Sequence, residues 1–317
     1  MRPVILFSVP AFERQAELIV GKSYEVRSIR RGKVSWGRFP DKFPDLFVEG
    51  METMSQYHAA LLLSITTPEV VFEQISVFYA LAARRPASLR LLLPYFPTGT
   101  MERADHEGQV ATAHTLAQML SAAAPSGPGP IPLYIWDAHA LSMRHYFGPN
   151  ISPRFKSGVR RLTEENRLGK DDVIVFPDEG AWKRFKIMFS DSSREMRHPF
   201  SVCRKVRQGG KRMITLQVED VAGKHAVIVD DLIHSGGTIL ECKKALDEAG
   251  ATAVSVFITH AVMENEAWKK FLDAGFKKIW ITDSIPETAS AINGQEPFEV
   301  VSLVDSMRRA ILDGLDP

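Results

Sequence analysis

The stretch VIVDDLIHSGGTIL, Val227–Leu240, decides the reading of this chain. An apolar strand ends at Asp230-Asp231. The turn His234-Ser235-Gly236-Gly237-Thr238 follows and opens an amphipathic helix, TILECKKALDEA, Thr238–Ala249. Two adjacent glycines let a backbone approach a ligand with no Cβ in the way. A helix start adds free N–H groups and a favourable dipole. Ser235 and Thr238 add hydroxyls, and together these features predict a cradle for a phosphate monoester. The two carboxylates before it cannot both face a phosphate. They suit the hydroxyls of a sugar, or a metal ion. The plainer alternative is a glycine turn with aspartates as turn formers and helix caps. The apolar strand, the Asp pair and the SGGT helix start in one segment favour the ligand. No Lys follows the glycines, so the loop is not a Walker A loop.

Working outward, short apolar runs recur at Val4–Ser8, Ala60–Ile65, Leu91–Phe96, Leu133–Trp136, Val173–Phe176, Ala226–Val229, Val254–Ile258 and Lys278–Thr282. Most lack polar alternation, as strands buried on both faces of a parallel sheet do. Helical stretches such as Gln109–Leu120 and Thr238–Ala249 lie between them. Strand–helix alternation predicts an α/β fold. At the carboxyl end of a parallel strand, the Asp230–Thr238 loop stands where such sheets bind ligands. Ser121–Pro132 reads as a surface connector, and Phe147–Arg154 as a turn-rich domain boundary. A chain of 317 residues suits two domains of roughly 150 residues each. The expected division is 1–150, 151–302 and a final helix from 303 that returns to the first domain.

A net charge of +1 gives no global reason to expect a nucleic-acid or membrane partner. The basic group Arg27, Arg30, Arg31, Lys33 and Arg38 reads as a solvated face, or as an anion-binding edge. Two cysteines, Cys203 and Cys242, are too few for a disulfide framework or a cysteine metal site. They fit a reducing, cytoplasmic setting. The first residues carry no long apolar leader, and no apolar run reaches the roughly 20 residues that cross a bilayer.

Three further segments give the loop its context: LLLPYFPTGTMER (Leu91–Arg103), YIWDAHALSMRHYFG (Tyr134–Gly148) and VIVFPDEGAWKR (Val173–Arg184). VIVDDLIHSGGT resembles the phosphoribosyl pyrophosphate loop of type I phosphoribosyltransferase folds. The whole set, in order and spacing, resembles the ribose-phosphate pyrophosphokinases, most closely the plant-type class II enzymes. The resemblance implies two type I phosphoribosyltransferase-like α/β domains with parallel, helix-flanked sheets and the site between them. It implies transfer of the β,γ-diphosphoryl group of ATP to the anomeric hydroxyl of ribose 5-phosphate, with Mg²⁺ as cofactor and a homo-oligomeric assembly.

The resemblance also implies the roles of residues. Asp230, Asp231, Ser235, Gly236, Gly237 and Thr238 would bind ribose 5-phosphate. His139 and Asp178 would lie at the metal, with Asp137 a weaker candidate. Lys205 and Arg207, in the basic segment SVCRKVRQGGKRMITLQ (Ser201–Gln217), would be the catalytic pair of a flap hinged at Gly209-Gly210. Phe39, Asp41, Phe43, Thr100, Lys183 and Arg184 would serve the nucleotide. The departures are informative. His234-Ser235 stands where the pattern has Asp-Thr, which keeps a hydroxyl and loses a carboxylate. The class I ARQDK segment and the class I regulatory phosphate motif are absent, which implies turnover without free phosphate. The rival readings are a type I phosphoribosyltransferase and a non-catalytic synthetase-associated regulator. The retained His139, Lys205, Arg207, Asp230 and Asp231 oppose the second.

Overall fold

A computed structural model of the chain describes residues 2–21, 28–97, 101, 104, 106–123, 129–191, 193–208, 211–217 and 221–315, with residues 204–208 and 211–217 as backbone. The strands are β1 (Val4–Ser8), β2 (Ile29–Arg31), β3 (Val34–Arg38), β4 (Pro44–Val48), β5 (His58–Leu62), β6 (Ser88–Leu92), β7 (Ile131–Trp136), β8 (Ile151–Lys156), β9 (Val173–Phe176), β10 (Phe200–Gln208), β11 (Lys211–Gln217), β12 (His225–Ile233), β13 (Ala253–Ala261), β14 (Lys278–Thr282) and β15 (Phe298–Val301). The α-helices are α1 (Glu13–Gly21), α2 (Glu69–Ala83), α3 (Thr112–Ser121), α4 (Arg160–Glu164), α5 (Glu179–Phe185), α6 (Gly237–Glu248), α7 (Pro286–Ile292) and α8 (Val304–Leu312).

The chain forms two compact units, Met1–Lys156 with Leu303–Pro317, and Ser157–Ser302. The first is built on a parallel sheet ordered β2-β1-β5-β6-β7-β8. Side chains alternate across each strand. Ala59, Leu61, Leu91 and Leu133 therefore pack on one face with α2 and α3. Leu6, Leu62, Tyr134 and Trp136 pack on the other with α1 and α8. Burial of both faces explains why these strands are apolar throughout. Helix α8 presents Val304, Met307, Ala310 and Ile311 to that second face. Polar bonds fix its register: Trp136 Nε1 donates to Ser306 Oγ at 2.9 Å, and Arg308 Nη1 to the Ile19 carbonyl at 2.7 Å. Past its end, Asp313 accepts from the Tyr134 hydroxyl at 3.1 Å and faces Lys156 at 3.4 Å.

The second unit has a sheet ordered β11-β10-β9-β12-β13-β14-β15. It is parallel except for the antiparallel β10–β11 ribbon. From β9 the chain builds outward through β10 and β11 on one side; from β12 it builds through β13, β14 and β15 on the other. The strand order reverses between β9 and β12. A reversal of this kind opens a crevice beyond the carboxyl ends of the two strands, where open α/β sheets take their ligands.

Three strands match their apolar runs residue for residue: β1, β9 and β14. Strand β12 does not end at Asp230-Asp231. Its ladder to β13 continues to Ile233↔Ala261, so the Asp pair lies within the strand. In the basic group near residue 30, Arg31 bonds Ser8 and Glu13, Lys33 faces Glu49 and Arg38 faces Glu73, while Arg27 lies outside the described residues.

Candidate functional site

The carboxyl ends of β9 and β12 bring together Asp178, Arg184, Asp230, Asp231 and the loop Ser235–Thr238, all in the second unit. Asp178 directly follows β9 and caps α5, its Oδ1 accepting from the Ala181 N–H at 2.9 Å. Two turns later Arg184 reaches Asp231 through a planar fork. Nη1 lies 2.8 Å from Oδ2, and Nη2 lies 2.9 Å from Oδ1. Asp231 is only 3% exposed. A carboxylate so enclosed stays charged only with a partner of this quality.

Asp230 is half-buried, and its Oδ1 accepts the Asp231 backbone N–H at 2.9 Å. Burial first, then the charge of Asp231 and, more weakly, that of Asp178, pushes the Asp230 carboxyl well above the usual carboxylate range. The last stretch of the β12 ladder thus carries crowded carboxyl groups, three and two residues before its end at Ile233. Donor hydroxyls or a cation would relieve that crowding.

The two loop glycines do different work. Gly236 is left-handed (φ +72°), and a Cβ there would meet Phe271 Cζ at 2.3 Å. Its demand is structural, and sequence alone does not show the Phe271 ring behind it. Gly237 is exposed, and the nearest atom to a Cβ there is Ser235 Oγ at 3.9 Å. It leaves the backbone open to an approaching group. Gly236 caps α6 without a side chain, so the first turn of this 12-residue helix receives no side-chain bond from its cap. Ser235 and His234 are exposed, and Thr238 is half-buried.

The remaining expected residues stand elsewhere. Lys183 is exposed and pairs with Glu179 at 3.5 Å. Lys205 and Arg207 stand two positions apart on β10, in register with Ile214 and Arg212. Gly209 and Gly210 lie outside the described residues, as does Thr100. His139 is exposed in the turn after β7 of the first unit. Asp137, two residues earlier, is buried at φ +35°, and its N–H donates to the Lys156 carbonyl at 2.9 Å. Phe39, Asp41 and Phe43 form the tip of the β3–β4 hairpin. Asp41 Oδ1 accepts from the Phe43 N–H at 3.1 Å, closing the turn. Phe39 and Phe43 are exposed, and Phe43 meets Phe72 edge-on at 6.1 Å.

Comparisons with known proteins identify the fold and the family. Residues 150–290 match the phosphoribosyl transferase domain family. A solved phosphoribosylpyrophosphate synthetase from Mycobacterium smegmatis superposes with a TM-score of 0.77 over 98% of each chain, at 21% identity, and shares the fold. Ribose-phosphate pyrophosphokinase 3, mitochondrial, of Spinacia oleracea is 43% identical over 98% of this chain and 77% of its own length. Ribose-phosphate pyrophosphokinase 4 of Oryza sativa subsp. japonica is 44% identical over 90% and 89%. The chain belongs to the ribose-phosphate pyrophosphokinase family.

The cofactor expected of a ribose-phosphate pyrophosphokinase can be tested against these residues. Among the described residues no group of three or more His, Cys, Asp and Glu could hold a metal ion by itself. Magnesium needs no such cage. It binds through one or two carboxylates plus substrate phosphates and keeps several waters. The oxygen donors Asp178 and Asp230 fit that habit.

One other arrangement has the form of a catalytic row but cannot act as one. His225 places its ring nitrogens 3.1 Å from Asp172 Oδ1 and 2.9 Å from Ser255 Oγ. Ser255 is fully buried at the amino-terminal end of β13, so no substrate reaches it. The row ties strand starts together.

Proposed function

We propose that this ribose-phosphate pyrophosphokinase takes ribose 5-phosphate at the carboxyl end of β12 and passes the diphosphoryl group of ATP to its anomeric hydroxyl, releasing AMP. The observation that carries this reading is the Asp230–Asp231 pair beside the open Gly237 backbone, at the crevice where the strand order reverses. Ser235, Thr238 and the first N–H groups of α6 would hold the 5-phosphate. Asp230 would accept from the ring hydroxyls, fixing the anomeric oxygen for attack on the β-phosphorus. Positioning and charge stabilisation would supply most of the rate. Lys205 and Arg207, on one edge ribbon, would neutralise the transferring phosphates and the departing AMP. Asp178 and Asp230 would hold magnesium, which would supply further neutralisation of phosphate charge. Phe39 and Phe43 offer aromatic faces for an adenine base.

The same reading includes a homo-oligomer, supported by the exposed Phe39, Phe43, Phe47 and Phe72, for which sedimentation velocity is the test. It also includes a cytoplasmic setting, which suits two buried thiols and is tested by fractionation. Turnover is expected without free phosphate. Steady-state rates with ATP, GTP, CTP and UTP, with and without phosphate, test this part; strict phosphate activation overturns it.

A further inference from the structure

Helix α5 carries Asp178 at its cap and Arg184 near its end. The guanidinium is tied to Asp231 by two parallel bonds, 2.8 and 2.9 Å. An Arg fork matches a carboxylate in both position and plane, which a Lys point charge cannot do. The fork therefore fixes the rotation of the Asp231 carboxylate as well as balancing its charge. Order then passes along the main chain, because the Asp231 N–H donates to Asp230 Oδ1 at 2.9 Å. Lys183, the preceding residue, has no such role: it is exposed and pairs along its own helix with Glu179. The two cations of the DEGAWKR segment are thus separated by burial and by partner.

We infer that Arg184 is a positioning residue for the sugar: it fixes Asp231, and through the Asp231 main chain it orients Asp230, the carboxylate that would meet the ribose hydroxyls. Arg184 then serves the acceptor and not the nucleotide. The inference rests on the reading of this loop as the ribose 5-phosphate site. If the fork sets the carboxylates, its loss degrades the capture and alignment of ribose 5-phosphate and leaves ATP capture nearly unchanged.

The test is steady-state kinetics of the full chain with Mg²⁺, varying ATP and ribose 5-phosphate separately, for wild type, R184K, R184M, D231N and R184M/D231N. R184K keeps the charge and loses the fork, so its KM for ribose 5-phosphate is expected to rise about tenfold, with a larger rise in R184M. KM for ATP is expected to change less than about threefold in both, since the interaction lost is confined to the acceptor. R184M/D231N should be no worse than D231N alone, because both changes cut the same link. Equal rises in the two KM values overturn the inference and return Arg184 to the nucleotide. Independent, multiplying losses in the double variant also overturn it. If R184M does not fold, R184K against wild type and R184M/D231N against D231N carry the same comparison. An active wild type with an unaffected R184K sinks the positioning role alone. An inactive wild type sinks the proposed function and the inference with it.

Discussion

The two glycines of the loop give the sharpest separation of architecture from binding. At Gly236 an alanine must adopt φ +72°, which costs an L-residue about 1–2 kcal/mol. Its Cβ would also lie 2.3 Å from Phe271 Cζ and 2.7 Å from Cε2. The Phe271 ring is wholly buried and backed by Phe276 and Phe298, with centroids at 6.0 and 6.3 Å. It has little room to retreat, and overpacking of this kind costs about 1–3 kcal/mol. The sum is about 2–5 kcal/mol, which in a unit of this size lowers the melting temperature by roughly 5–15 °C. Gly237→Ala meets only Ser235 Oγ at 3.9 Å and needs no left-handed backbone. Its melting temperature should stay within roughly 2 °C of wild type. The new methyl group would stand where the 5-phosphate approaches, so KM for ribose 5-phosphate should rise about tenfold. Calorimetry of the full chain and steady-state kinetics read the two effects. A Gly236→Ala chain that melts with wild type refutes the clash with Phe271. A Gly237→Ala chain with an unchanged KM refutes the placement of the phosphate.

Other outcomes follow from the same structure. Lys205→Ala should lower kcat by about 10²–10³ while ribose 5-phosphate binding, measured by calorimetric titration, stays nearly intact; surviving turnover rejects the role given to the ribbon. Cys203 and Cys242, 1% and 0% exposed, should ignore a thiol reagent in the native chain and react only on denaturation. Burial, then the Asp313 charge, raises the Tyr134 phenol to about 12, against about 10 unfolded. The folded state therefore holds that proton more tightly. The stability it contributes is complete below about pH 10 and is lost as pH rises toward about 12. Tyr134→Phe should flatten that part of a pH–stability curve.

What the sequence shows and what it hides have separate physical origins. Runs such as Val173–Phe176 are legible because a strand buried on both faces must be apolar throughout. Strand β8 lies in a stretch that reads as turns, because an edge strand tolerates Pro153, Arg154 and Lys156. The β12 ladder runs past two aspartates because backbone hydrogen bonds do not depend on side-chain polarity. The loop stands out in the sequence because glycines, hydroxyls and carboxylates gather in one short segment. The Arg184–Asp231 fork is not legible, since its partners lie 47 positions apart and meet only across the β9–β12 crevice. The Gly236–Phe271 contact is hidden for the same reason: the ring comes from a distant turn.

One enzyme turnover joins the diphosphoryl group of ATP to ribose 5-phosphate. Phosphorus NMR of the chain with ATP, Mg²⁺ and ribose 5-phosphate follows every product at once. AMP and a sugar carrying a new diphosphate should appear one for one, with no ADP. Formation of ADP, release of free pyrophosphate in step with AMP, or no consumption of ribose 5-phosphate would contradict the claim.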